Sequence, residues 1–264
     1  DFTMNADAII DGNGKAISGF SGLSGGENWV SGNNVAFSVA PNRTLYTAVY
    51  GDVNIGSIYV QGTNASLIAR YHDGEGGGGY TTTIGALPGD DDDKLNVTLQ
   101  NATAVVFNNT NLEQLGTINA SNAGNGEVTI SAAVTKGHVG AIGGTARIAT
   151  FTTSGAGSSY DNNIKATTLH VNETSTFGGA LDATTLNVNF ASTFGGAVTA
   201  TTANVDAVST FSSTLDATTL NVNFASTFGG AVTATTTANV KAASTFSSTL
   251  DTTTLNVEAA STFD

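Results

Sequence analysis

The phrase "ATTLNVNFASTFGGAVT" runs from Ala183 to Thr199 and returns unchanged from Ala217 to Thr233. A repeat this long without a single change restricts the fold more than any other feature of the chain, because each copy must find the same surroundings. Phe marks the period: Phe177, Phe194, Phe211, Phe228, Phe246 and Phe263 recur at intervals of 17, 17, 17, 18 and 17. The longer step falls where "TATTTANV" carries an extra Thr relative to "TATTANV". The units also alternate. "STFGGA" becomes "STFSST" and "TTLNV" becomes "TTANV", which lays a doubled period over the shorter one.

The doubled period also suits paired helices. The residues do not: Thr-Thr before Leu-x-Val and Gly-Gly after Phe are poor helix material. In "TLNVN" the alternation puts Leu186 and Val188 on one face and Asn187 and Asn189 on the other, a period of two. Each unit therefore offers short strands and an apolar set of Leu186, Val188, Phe194 and Val198, with Leu220 and Val222 repeating the pattern. One unit cannot bury that set alone. Stacked copies can, at the ~4.8 Å spacing of paired strands. The expected fold is all-β: a β-solenoid (β-helix) with 17-residue coils, in which Thr and Asn side chains form outward ladders and Gly195-Gly196 marks a turn or a close backbone approach. The same periodicity suits three chains wound side by side; the single-chain coil is the reading we favour.

Composition agrees. Only 11% of the 264 residues are charged, against about 25% in an ordinary soluble domain, yet the net charge is -13. An acidic chain has no electrostatic route to nucleic acid or to an anionic membrane. No run of about 18 apolar residues would span a membrane as a helix. The chain holds no Cys and opens on Asp rather than on a secretory signal, as expected of a processed mature chain or a fragment.

The style changes near Tyr160. Up to that point lie all 6 Tyr, Trp29, Met4 and both Pro; beyond it Phe is the only aromatic type. The small, polar stretch "TTSGAGSSYDNN" (residues 152–163) sets the boundary. Residues 1–155 are expected to form an irregular β-rich domain, a cap built as an irregular β-helix or a sandwich, and residues 156–264 the repetitive solenoid. Alternating segments such as "DVNIGSIYV" (Asp52–Val60) and "KLNVTL" (Lys94–Leu99), separated by turn signals such as "NAGNG" (Asn122–Gly126), support strands in the first part. A solenoid needs caps, because a bare edge polymerises.

Chemistry-bearing motifs are sparse. "GDDDDK" (residues 89–94) reads as a solvated acidic loop; calcium is the one ion its carboxylates suggest, and no other cofactor is expected. "DGNG" (residues 11–14) lacks the rest of a calcium loop. His72-Asp73, beside "GEGGGG", lacks a nucleophile context, and His138 and His170 lack metal-ligand spacing. Trp29 and the pairs Tyr46/Tyr50 and Tyr71/Tyr80 read as core or strand-face aromatics before sugar platforms. Catalytic, cofactor and metal residues are therefore expected to be none, and the working positions are the repeat columns.

Thr/Asn/Gly-rich strands with "ATTLNV" units, and phrases such as "NNTNLEQLGTINAS" (residues 108–121), resemble passenger regions of rickettsial-type surface autotransporters. The resemblance is one of style. It implies a secreted β-helix acting as an adhesin or surface coat. The repeats "TLNVNFASTFGGAVTATT" also resemble trimeric phage tail-fibre shafts. The expectation is a non-enzymatic, extracellular or cell-surface structural protein: coat, adhesin or filament. Its partners would be copies of itself, with a host receptor or glycan as further candidates. In a filament, the strand-like "DFTMNADAII" of residues 1–10 could complete a neighbouring subunit. The alternatives are a trimeric receptor-binding fibre and a polysaccharide-degrading β-helix enzyme. The enzyme reading is poorly served by a repeat half whose only basic residues after Tyr160 are Lys165 and Lys241.

Overall fold

In a computed structural model of the chain, residues 2–4, 8–11, 28–29, 36–39, 42, 44–49, 52–60, 65–71, 81–87, 94–100, 103–108, 112, 114–134 and 140–264 are described. Their regular structure is strand, without helix. Every strand pairing among them is parallel. Parallel pairing of successive strands needs a crossover each time, and here each crossover is the rest of a coil. The chain is a β-solenoid.

The repeat register is set by the sequence period. Leu186 pairs Leu169 on one side and Ala203 on the other; Val188 pairs Val171 and Val205; Phe194 pairs Phe177 and Phe211. Two sheets run along this part. One holds the long strands such as Leu181–Val188, and the other holds very short strands such as Thr193–Phe194. Within Leu181–Val188 the inward residues are Leu181, Ala183, Leu186 and Val188. The alternation breaks once, at Thr184-Thr185, where two neighbouring side chains both point away from the core. The strand turns a corner there, so one long strand supplies two walls and the Phe strand a third.

That corner also absorbs the longer step of the Phe period. The strand Val232–Val240 has 9 residues where its neighbours have 8, and its register shifts between Ala234 and Thr237. An extra residue inside a strand would send every following side chain to the wrong face. Placed at the corner, it adds only an outward Thr, and Ala238 and Val240 return to the core, both 0% exposed.

The alternation of the units has a packing reason. The column through position 186 reads Leu186, Ala203, Leu220, Ala238, and the column through 181 reads Leu181, Val198, Leu215, Val232. Large and small side chains alternate along the axis, so each Leu spreads over a smaller neighbour.

Before residue 160 the coils are longer and less even. Thr81, Ala104, Glu127 and Thr150 are successive partners in the long sheet, evenly spaced along the chain although no wording repeats between them. The coil before them, from Ile55 to its partner Ile84, is longer again. The irregular β-helix expected as one form of the first part is what these parallel pairings form. The long sheet continues across the boundary through the pairing of Ile148–Thr153 with Ile164–Val171. "NAGNG" does turn the chain, with Gly124 and Gly126 at φ of 84° and 75°, the region a side chain disfavours.

Two substitutions test this packing. Phe194→Ala removes a fully buried ring and is expected to cost about 3–5 kcal/mol. Ala203→Leu places a large side chain between Leu186 and Leu220 and is expected to cost about 1–3 kcal/mol. Denaturant midpoints measure both; a neutral Ala203→Leu would refute the alternating-column account.

Candidate functional site: the stacked columns

The repeat positions line up in three kinds of column. The first is aromatic. Phe177, Phe194, Phe211, Phe228 and Phe246 are each 0–1% exposed, with ring centroids 4.5–5.1 Å apart and planes within 9° of parallel. Phe263 continues the stack at 5.1 Å and is 45% exposed. Centroid separations follow the strand spacing, and each stacked pair is worth about 0.5–1.5 kcal/mol beyond burial. Leu186, Val188, Leu220 and Val222 belong to the same buried core, all 0% exposed.

The column begins one ring earlier than the Phe period suggests. Tyr160 stacks on Phe177 at 5.3 Å and meets Phe151 edge-on at 5.6 Å. Its hydroxyl donates to Thr153 Oγ1 at 2.8 Å. Burial pushes the phenol up to about 12, opposed by hydrogen bonds with Thr153 and Ser158. Tyr160 thus joins the irregular coils to the repeat by the same contact the repeat uses.

The second column is amide. Asn204 Nδ2 donates to Asn187 Oδ1 at 2.9 Å, Asn221 to Asn204, Asn239 to Asn221 and Asn256 to Asn239, each at 2.8 Å. His170 heads this ladder, its Nδ1 3.3 Å from Asn187 Nδ2. A histidine without metal-ligand spacing in the sequence is here a member of a structural ladder. The outward Thr columns are aligned too, but among the described repeat residues their hydroxyls do not link to one another; Thr253 Oγ1 instead donates to the Thr235 carbonyl.

The third column is serine, and reading the sequence as strands with outward ladders missed it. Ser175, Ser192, Ser209, Ser226 and Ser244 are 3–6% exposed. Each accepts or passes a bond along the axis: Ser175 N donates to Ser192 Oγ, Ser192 N to Ser209 Oγ and Ser209 N to Ser226 Oγ, at 3.2–3.3 Å. The hydroxyl also closes its own turn, as Ser192 Oγ donates to Phe190 O and Ser226 Oγ to Phe224 O at 3.0 Å. A polar turn would otherwise bury an unpaired amide in each coil. The signal was the unvaried Ser of "S-T-F" in every unit.

Gly-Gly makes a close approach. A Cβ on Gly196 would lie 2.2 Å from Gly179 O, and one on Gly230 2.3 Å from Ser213 O. The first glycine of each pair is different, since a Cβ on Gly195 would meet Phe177 O at an ordinary 3.5 Å.

Other candidates lie elsewhere. His72, Asp73, His138, Tyr50, Tyr80, residues 12–14 and the acidic run 89–93 are outside the described residues, as are the side chains of Trp29, Tyr46 and Tyr71. Among the described residues, no group of three or more His, Asp or Glu is placed to hold a metal ion, and no helix is long and apolar enough to cross a membrane. Arg147 bonds the Ala166 carbonyl and Asp182, a tie across coils rather than a catalytic pair.

Gly196→Ala is expected to destabilise the protein by about 1–3 kcal/mol while Gly195→Ala stays within about 0.5 kcal/mol. Thermal unfolding of the two variants separates them. For Tyr160, the folded chain holds the phenolic proton to about pH 12 while the unfolded chain releases it near pH 10. Its share of stability is therefore full below pH ~10 and falls as pH rises towards ~12. Tyr160→Phe should remove that part of the alkaline loss, read as unfolding midpoint against pH.

Compared with known proteins, the chain matches no protein-family model, no curated protein and no solved structure.

Proposed function

We propose that this chain is a structural protein of the cell surface or extracellular space, a coat, adhesin or filament component, acting through a stiff rod of stacked coils rather than through a reaction. The observation that carries the reading is the unbroken column from Tyr160 to Phe263, in which every coil stacks an aromatic ring on its neighbour's. Six steps of ~4.8 Å make about 29 Å of continuous stack. The repeat fixes length and stiffness, and its walls are aligned Thr columns and an Asn ladder rather than a cleft lined by acid and base groups. Zero Cys, few charges and Thr/Asn/Gly-rich strands also support a surface role.

Static light scattering at about 1 µM on the purified chain is expected to give a 26.5 kDa monomer. A mass about three times larger would replace the single-chain rod with a trimeric fibre shaft. Electron microscopy and surface labelling of native material are expected to place the protein outside the cell in rods or a lattice; recovery from the cytosol alone would overturn the surface assignment.

A further inference from the structure

The turn after each long strand forms a ridge along the solenoid, and its residues do not follow the core's logic. Two positions past the paired valines Val171, Val188, Val205, Val222 and Val240 stand Glu173, Phe190, Ala207, Phe224 and Ala242. One position further stand Thr174, Ala191, Val208, Ala225 and Ala243. Phe190, Val208 and Phe224 are 45%, 60% and 52% exposed. Each is followed by a buried Ser that fixes the turn, and in two of the three the Ser hydroxyl holds the Phe carbonyl itself. Large apolar groups held out on a fixed turn cost solubility and add nothing to the core, so they mark a contact.

The pattern along the ridge is symmetric about Val208. One coil to either side lies a Phe; two coils away stand Glu173 on one side and, on the other, Lys241, one position nearer its valine than Glu173 is to Val171. We infer that this ridge is a self-association surface, on which a second copy of the chain docks antiparallel about a two-fold axis beside Val208. Such an axis lays Phe190 of one copy against Phe224 of the other, and brings Glu173 towards Lys241 twice, by symmetry. Lys241 is one of two basic residues after Tyr160, and it stands where this arrangement places an acidic partner. Parallel docking, by contrast, sets Glu173 against its own copy. Among the described residues of the ridge, Asp206, hydrogen-bonded to Asn223, is the charge that faces its counterpart near the axis, and Asn occupies its place in the coils on both sides. Three apolar side chains, each about half exposed, cannot supply the ~800 Å² per partner of a standard interface, so the association is weak and concentration-dependent. The inference stands on the ridge alone and holds whether or not the protein works at a cell surface.

Sedimentation velocity on the full chain from about 1 µM to about 1 mM tests it. The expected result is monomer at the low end and dimer at the high end, with the dimer lost in Phe190→Ser/Phe224→Ser. Glu173→Lys and Lys241→Glu should each weaken association several-fold, the double reversal should restore it, and Asp206→Asn should tighten it. Circular dichroism confirms that each variant keeps its strands, the substituted groups being on the turn rather than in the core. A chain that stays monomeric to about 1 mM overturns the proposal. So does an oligomer that Glu173→Lys strengthens, or one in which the double reversal fails to rescue the single changes, since either result belongs to parallel packing or to another surface.

Discussion

Each coil is the floor of the next, and everything else in the molecule is subordinate to that contact. A parallel stack leaves no freedom in register: the backbone amides of one turn must meet the carbonyls of the turn below, and side chains at like positions must tolerate each other at ~4.8 Å. Phe can stack on Phe at this distance, and Asn can bond Asn. Ser can take the amide of the preceding coil while tying down its own turn. A side chain that cannot be paired with itself, such as a charge, has no place on the inner faces. That explains why the charged residues of the repeat half, such as Glu173, Asp182, Asp206, Asp216 and Lys241, all stand outside its buried core.

The sequence made the repeat half legible because its period and its strand alternation agree. Leu186, Val188, Phe194 and Val198 read as an apolar set, and all four are buried. Two inward positions escaped that reading for physical reasons. Ala183 is small enough to look neutral, and Ser192 looks like a surface residue until the Ser175 amide of the preceding coil needs an acceptor inside the stack. Tyr160 marks the edge of the repeat in the sequence; a ring with one added hydroxyl fills the Phe column equally well once Thr153 Oγ1 accepts its hydrogen bond.

The first part was legible as strands and turns but not as coils. Asp52–Val60 was visible from its alternation, and its strand has those bounds. The even spacing of Thr81, Ala104, Glu127 and Thr150 was not visible, because irregular turns differ in wording even where the strands they join are regularly placed. Register is a property of which strands meet. Sequence displays it only when neighbouring coils also share residues, as they do after Tyr160.

The corner at Thr184-Thr185 has a consequence for how such a chain can change. Walls transmit any misalignment to every later layer, whereas the corner took a whole additional Thr at 235–236 and returned the strand to phase within the same turn. It is the hinge of the coil's geometry where length is negotiable. Loops, tags or new recognition segments belong there, and a lineage lengthening or decorating this rod would accumulate its insertions along that single edge, leaving the stacked rings behind it undisturbed.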